Sequence, residues 1–322
     1  MAVFFTKLFS LKKYLFLIVI IAFISYGIYW LWQRQPRVHN YQQPDVYTEK
    51  SNQNSQKQLL EITPENFSVL TVENIKFQGK TIANSYLALT SNNSHKVVKI
   101  NENGIFEADV KLTSGLNLIE AIQFTNNLKD VQKKTLIYWL SENTQNFVPN
   151  TQVFAGNIKN IFDILITATF EEEQKEIKID KSTIIQLPKN IQIESTSSAL
   201  EEIRIGDLIT ALGQVKSADD KNQIIASDVE IFRENKPQVT KKTRLLKTLS
   251  IVRQNIFSAK DEQNNIIEFT INKNSQILDQ GKETDSESII KNKNAIIIYH
   301  TGSDSLRSEA GKNIIDLIYL LP

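Results

Sequence analysis

The chain has 322 residues, with 37 Lys and Arg against 36 Asp and Glu and a formal charge of +1. That length predicts about two to three folding units with ample cores, and the balance excludes a whole-chain argument for nucleic-acid binding or an acidic tail. Cysteine is absent, which excludes disulfide frameworks, thiolate metal sites, cysteine nucleophiles and a lipidated cysteine anchor.

The charge is unevenly placed. Residues 1–37 hold Lys7, Lys12, Lys13, Arg34 and Arg37 and no acid, so the rest of the chain carries −4. Residues 1–13 read as a cytoplasmic tail. From Tyr14 to Trp32 run 19 residues without a charge, YLFLIVIIAFISYGIYWLW, which as a helix rising about 1.5 Å per residue spans roughly 28 Å, the depth of a bilayer core. Tyr14 at one end and Tyr26, Tyr29, Trp30 and Trp32 at the other have rings suited to headgroup level. The lysines before the segment place the N-terminus in the cytoplasm and the remaining domains outside, in a single pass through the plasma membrane. A cleaved signal peptide is the competing reading, but Ser25-Tyr26-Gly27, crowded by aromatics, is a poor cleavage site. Residues 33–60, rich in Gln, Asn and Ser, read as a flexible tether.

Beyond the tether the pattern is strands, with Ser198–Arg204 able to form one helical turn. Residues 61–145 place short strands about ten residues apart, as a sandwich does. Asn103-Gly104 is a hairpin signal, because both residues tolerate positive φ. Gly79-x-Thr81 followed by Asn84-Ser85, the Asn103-Gly104-x-Phe106 turn and Leu112-x-x-Gly115-x-Asn117 resemble the immunoglobulin-like domains of bacterial surface proteins and glycosidase accessory modules. The resemblance covers about a quarter of the chain and implies a β-sandwich without a particular function.

The remainder reads as two copies of an all-β unit, 150–235 and 243–322. Ile177-Lys-Ile-Asp-Lys181 falls on Phe269-Thr-Ile-Asn-Lys273, Gly206–Gly213 near Asn294–Gly302, and Ser227–Phe232 near Ile315–Leu320. Gly156-Asn-Ile158 and Ile203-Arg-Ile-Gly206-Asp207 resemble a bacterial domain of unknown function that forms a small closed barrel. The second copy reads Asn292-Lys-Asn294 in place of Gly-Asp. Asn235–Lys242 is the expected linker between copies and the expected first site of proteolysis. The expected fold class is thus an all-β ectodomain, an Ig-like β-sandwich plus two small β-barrels, behind one N-terminal transmembrane helix.

Motifs that carry chemistry are missing. There is no G-x-G-x-x-G, Walker loop or G-x-S-x-G elbow, and His39, His95 and His300 do not begin a zinc motif. Each histidine reads as a solvated or capping residue. Glu171-Glu172-Glu173 and Asp219-Asp220 read as turn tips, and Lys133-Lys134 and Lys241-Lys242 as solubilising charges. A calcium loop from Asn101 lacks its closing glutamate. Trp139 beside Tyr138 is the one candidate for a sugar-stacking platform, the weaker reading against a core role. No catalytic, cofactor-binding or metal residue is assigned, and no cofactor. Asp180 and Asp207 are the acids against which that assignment is to be tested; both read as turn-forming. The expectation is a non-enzymatic binding or scaffolding protein, tied to the bilayer through residues 14–32 and meeting a protein partner outside it. The alternative is an accessory subunit of a membrane-bound envelope enzyme or secretion assembly.

Overall fold

The computed structural model describes residues 60–125, 130–141, 150–188, 191, 196–216, 222–234, 236–249, 255–289, 292–302 and 311–322. The expected tail and membrane helix lie outside them, with His39, Asp219 and Asp220. Among the described residues no helix is long and apolar enough to cross a membrane. All belong to one compact unit, Lys57–Pro322.

The first module comprises β1 (Glu61–Thr63), β2 (Val69–Leu70), β3 (Asn74–Lys80), β4 (Tyr86–Thr90), β5 (His95–Lys99), β6 (Ile105–Lys111), β7 (Gly115–Phe124) and β8 (Asp130–Leu140). They form a three-stranded sheet, β1-β3-β6, facing a five-stranded sheet, β2-β8-β7-β4-β5. Alternation explains the inner faces. In β3 and β6 every second residue is buried, so Phe77, Phe106, Ala108 and Val110 meet Leu87, Leu89, Ile119, Leu136 and Tyr138 in one core. Leu60, at the end of the expected tether, is buried there too. Asparagine side chains hold the turns. Asn101 Oδ1 accepts from Asn103 N and Ile105 N, and Asn117 Oδ1 accepts from Thr113 N. Gly104 has φ +77°, and a Cβ there would meet Thr81 O at 2.3 Å, so glycine is required.

The second module is β9 (Thr151–Phe162), β10 (Leu165–Phe170), β11 (Glu173–Lys178), β12 (Ile184–Gln186), α1 (Thr196–Glu202), β13 (Leu208–Val215) and β14 (Gln223–Phe232). Its sheet runs β11-β10-β9-β13-β14, and β11 pairs with β14 in parallel to close a five-stranded barrel, with β12 appended to β14. The third module is β15 (Lys242–Thr248), β16 (Ile256–Lys260), β17 (Ile266–Thr270), β18 (Gln276–Asp279), β19 (Lys282–Glu283), β20 (Asn294–Thr301) and β21 (Asn313–Leu320). It repeats the arrangement as β17-β16-β15-β20-β21, closed by a β17–β21 pairing at Thr270 and Ile314. A single 3-10 turn, Ser286–Ser288, stands where the first barrel has α1.

Both barrels dock on the sandwich. The outer face of the five-stranded sheet carries two apolar patches with the Glu120–Lys133 ion pair between them: Ile137, Trp139, Leu116 and Leu118 pack with the first barrel's Val153 and Phe154, while Tyr86, Ala88, Ile122 and Phe124 pack with Ile296, Ile298, Leu317 and Tyr319 of the second. Phe67 packs against Phe154 in a tilted pair with ring centroids 5.2 Å apart, and Tyr86 meets Tyr319 edge-on at 5.8 Å. This is why Tyr86-Leu-Ala-Leu-Thr90 and Ala295-Ile-Ile-Ile-Tyr299 read as unbroken apolar runs: each strand is buried on both faces.

Candidate functional site

Each barrel carries a β-bulge at the same place in its last two strands. In the first, Leu212 pairs with Asp228 and Gly213 with Ala226, leaving Ser227 unpaired; in the second, Ile298 pairs with Leu317 and Tyr299 with Ile315, leaving Asp316 unpaired. The bulge shifts the expected match of the last strands by one residue, setting Ser227 against Asp316. A bulged residue is re-aimed out of the regular alternation. Ser227 turns back on its own barrel, its hydroxyl donating to Leu212 O at 3.0 Å. Asp316 instead reaches groups at the junction with the sandwich.

Four side chains from four segments meet there. Asp316 Oδ2 accepts from His300 Nδ1 at 2.9 Å, and Asp316 Oδ1 lies 3.5 Å from Lys241 Nζ. Lys241 Nζ is in turn 3.1 Å from Nδ1 of His95, at the start of β5 in the sandwich. An ammonium has no lone pair, so Lys241 donates and the His95 ring is neutral, with its proton on Nε2. Burial, then the Lys241 charge, hold His95 below the usual histidine range, with Asp316 opposing them. The Lys241 and Asp316 side chains are only 11% and 14% exposed. The chain leading to Lys241 is pinned as well: Asn92 Nδ2 donates to Gln238 O at 2.9 Å, Asn92 Oδ1 accepts from Thr240 N at 2.8 Å, and the Thr90 and Thr243 hydroxyls are 2.8 Å apart. Lys236 fixes the other end, donating to Gly206 O of the first barrel at 2.8 Å.

The arrangement is a clasp, with Asp316 holding the half-exposed His300 ring by Nδ1. Among the described residues no cluster of three or more His, Asp or Glu has the disposition to hold a metal ion.

The residues singled out in the sequence take separate places. Asp180 Oδ1 accepts from the Ser182 hydroxyl at 2.5 Å and from Ser182 N at 2.8 Å, and these bonds, the hydroxyl's first, lower its pKa. Asn272 makes the same bond to Asn274 N in the second barrel. Asp207, 5% exposed, accepts two bonds from Arg233, at 3.0 and 2.9 Å, and one from Arg204 N. In the second barrel Lys293 stands at the corresponding position and pairs with Asp279 at 2.8 Å, which accounts for the missing Gly-Asp. Trp139 packs at the junction with the first barrel, and Glu171 accepts from Thr135 N at 3.3 Å, tying that turn to β8. Lys241, read as a solubilising linker charge, is the centre of the clasp, and the linker it ends is docked rather than free. Asp316 is not among the residues that the sequence singles out. The signal for Asp316 was there, as a lone acid inside the apolar run Ile314–Leu320.

No protein-family model matches the chain, and none of the curated proteins compared with it matches either.

Proposed function

We propose that the protein is a non-enzymatic, membrane-anchored binding or scaffolding protein that holds a sandwich and two barrels outside the membrane as one stiff body. The observation that carries the reading is the outer face of the five-stranded sheet, whose two apolar patches are each buried by one barrel. Modules joined only by linkers leave such faces in water; these bury them, as a spacer that must keep a fixed shape does. The apolar segment 14–32 supplies the anchor in this reading, and the immunoglobulin-like resemblance of 61–145 fits it.

Each barrel has its third and fifth strands paired in parallel and its first strand between the second and fourth, the closure of the oligonucleotide- and oligosaccharide-binding fold. Fold alone assigns no ligand. On the outer face of the second and third strands, where that fold binds, the first barrel presents Thr167 against Glu176 and the second Ser258 against Glu268. The neighbouring rows add one exposed ring, Phe162, across Leu165 from Lys178 in the first barrel, and Lys260 in the second; stacking successive bases takes several rings along a basic groove, so a protein partner is favoured over nucleic acid.

Cross-linking with mass spectrometry on intact cells tests the reading. A defined extracytoplasmic partner, linked through lysines of the barrels or sandwich, is the expected result, and a partner that is itself an envelope enzyme would specify the accessory-subunit form. Turnover of a glycan or peptide by the purified chain, abolished by His300→Ala with the melting temperature unchanged, would contradict it.

A further inference from the structure

We infer that the clasp of His95, Lys241, Asp316 and His300 makes the seating of the second barrel on the sandwich proton-dependent, tight while His95 is neutral and loosened when it is protonated. The inference rests on the scaffold reading and names its regulation.

The chemistry follows from donor and acceptor roles. Lys241 has three protons to donate and no lone pair, and it is held by two acceptors, Asp316 Oδ1 and His95 Nδ1. Protonating His95 removes the second acceptor and sets two cations about 3.1 Å apart in a largely buried contact. The charged groups come from separate segments, and Glu120, one strand beyond Thr90 on the same sheet face, is paired with Lys133 at 2.9 Å. The linker brings Lys241, β21 brings Asp316, and β20 brings His300, bonded to the same carboxylate. On the β4–β5 hairpin the neighbours of His95 are Thr90, its cross-strand partner, and Lys96, whose side chain is exposed. The first barrel has no counterpart, because its bulge carries Ser227.

The sign follows from linkage. His95 has a depressed pKa in the seated state, so that state binds fewer protons than the open one. Seating is therefore complete above the ordinary histidine value of about 6.5 and weakens as pH falls below it. The apolar contacts of Tyr86, Ile296, Ile298 and Tyr319 remain, so acid loosens the junction without separating the modules.

Hydrogen exchange read by mass spectrometry on the full chain in detergent, at pH 7.5 and pH 5.5 and corrected for intrinsic rates, tests this. Peptides covering 236–244 and 88–96 are expected to open roughly threefold to tenfold more at the lower pH, while peptides in the first barrel's β9 and β13 stay constant. In His95→Gln, which carries an acceptor and does not titrate, that response is expected to vanish. Equal opening of wild type at the two pH values, or a wild-type response retained in His95→Gln, overturns the inference and leaves the scaffold reading standing. Absence of protection over 236–244 already at pH 7.5 overturns both. Should His95→Gln fold poorly, a ring-proton NMR titration of the unaltered chain decides: His95 below the ordinary value supports the inference, and His95 at or above it overturns it.

Discussion

Ser227 and Asp316 occupy the same bulge in two barrels of one design, and only the aspartate reaches beyond its own barrel. The shared bulge belongs to barrel closure, since the last strand changes parallel partner beside it, from β11 to β12 in one barrel and from β17 to β18 in the other. The side chain placed there is free to vary. In the second barrel it supplies the acid that Lys241 and His300 share.

Asp316→Ser, which installs the first barrel's residue, is expected to leave the second barrel folded while costing about 1–2 kcal/mol of stability, because Lys241 keeps its charge in a largely covered site without its carboxylate. It should also move the His95 pKa further down, since Asp316 is the group that raises it, and Lys241→Met should move it up. Denaturant unfolding and ring-proton titration check the two effects.

Asp180→Asn is expected to leave the melting temperature unchanged, because Asn272 makes the same turn bond in the second barrel. Arg233→Ala is expected to cost about 2–3 kcal/mol, at or below the low end for breaking a buried pair because the guanidinium is partly exposed. It strips the Asp207 carboxylate, 6% exposed, of two bonds and leaves Glu202 O without its donor. Thermal melts of the two variants separate a turn former from an anchoring acid.

The strands of the sandwich and the hairpin at Asn103-Gly104 were legible because alternation and turn chemistry are local. The likeness of the two barrels was legible in Ile177–Lys181 and Phe269–Lys273, which make the same corner: Thr183 Oγ1 donates to Ala226 O at 2.7 Å and Ser275 Oγ to Ile315 O at 2.7 Å. The clasp was not. A bulge leaves no mark in a pattern of period two, and the partners Asn92 and Gln238 are 146 residues apart, so the polar run before β15 looked like free linker. The pairing of His95 with Lys241 exists only once two modules have docked.

Because that linker is docked, its expected status as the first site of proteolysis is revised. Ile298, fully buried in the second junction, provides the test. Ile298→Asp places an unpaired charge there and costs several kcal/mol. Limited proteolysis should cut the variant between 236 and 242 while sparing the unaltered chain at the same protease level.

Gly104→Ala is expected to destabilise the sandwich by at least about 1 kcal/mol, since φ +77° and the approach of Thr81 O both oppose a Cβ. Gly206→Ala meets a positive φ of 93° but nothing within 4 Å, so its cost should be smaller. Chemical unfolding of the two variants side by side checks the order.

Two barrels and a sandwich that form one stiff body hold fixed distances from one another, and the absence of cysteine makes those distances directly measurable. Spin labels placed in pairs at Lys80→Cys, Glu172→Cys and Glu262→Cys, one exposed site in each module, report inter-module distances by pulsed electron paramagnetic resonance on the full chain. The account requires a single narrow distance distribution for every pair at pH 7.5; broad distributions between modules, as linked but undocked domains give, would contradict it.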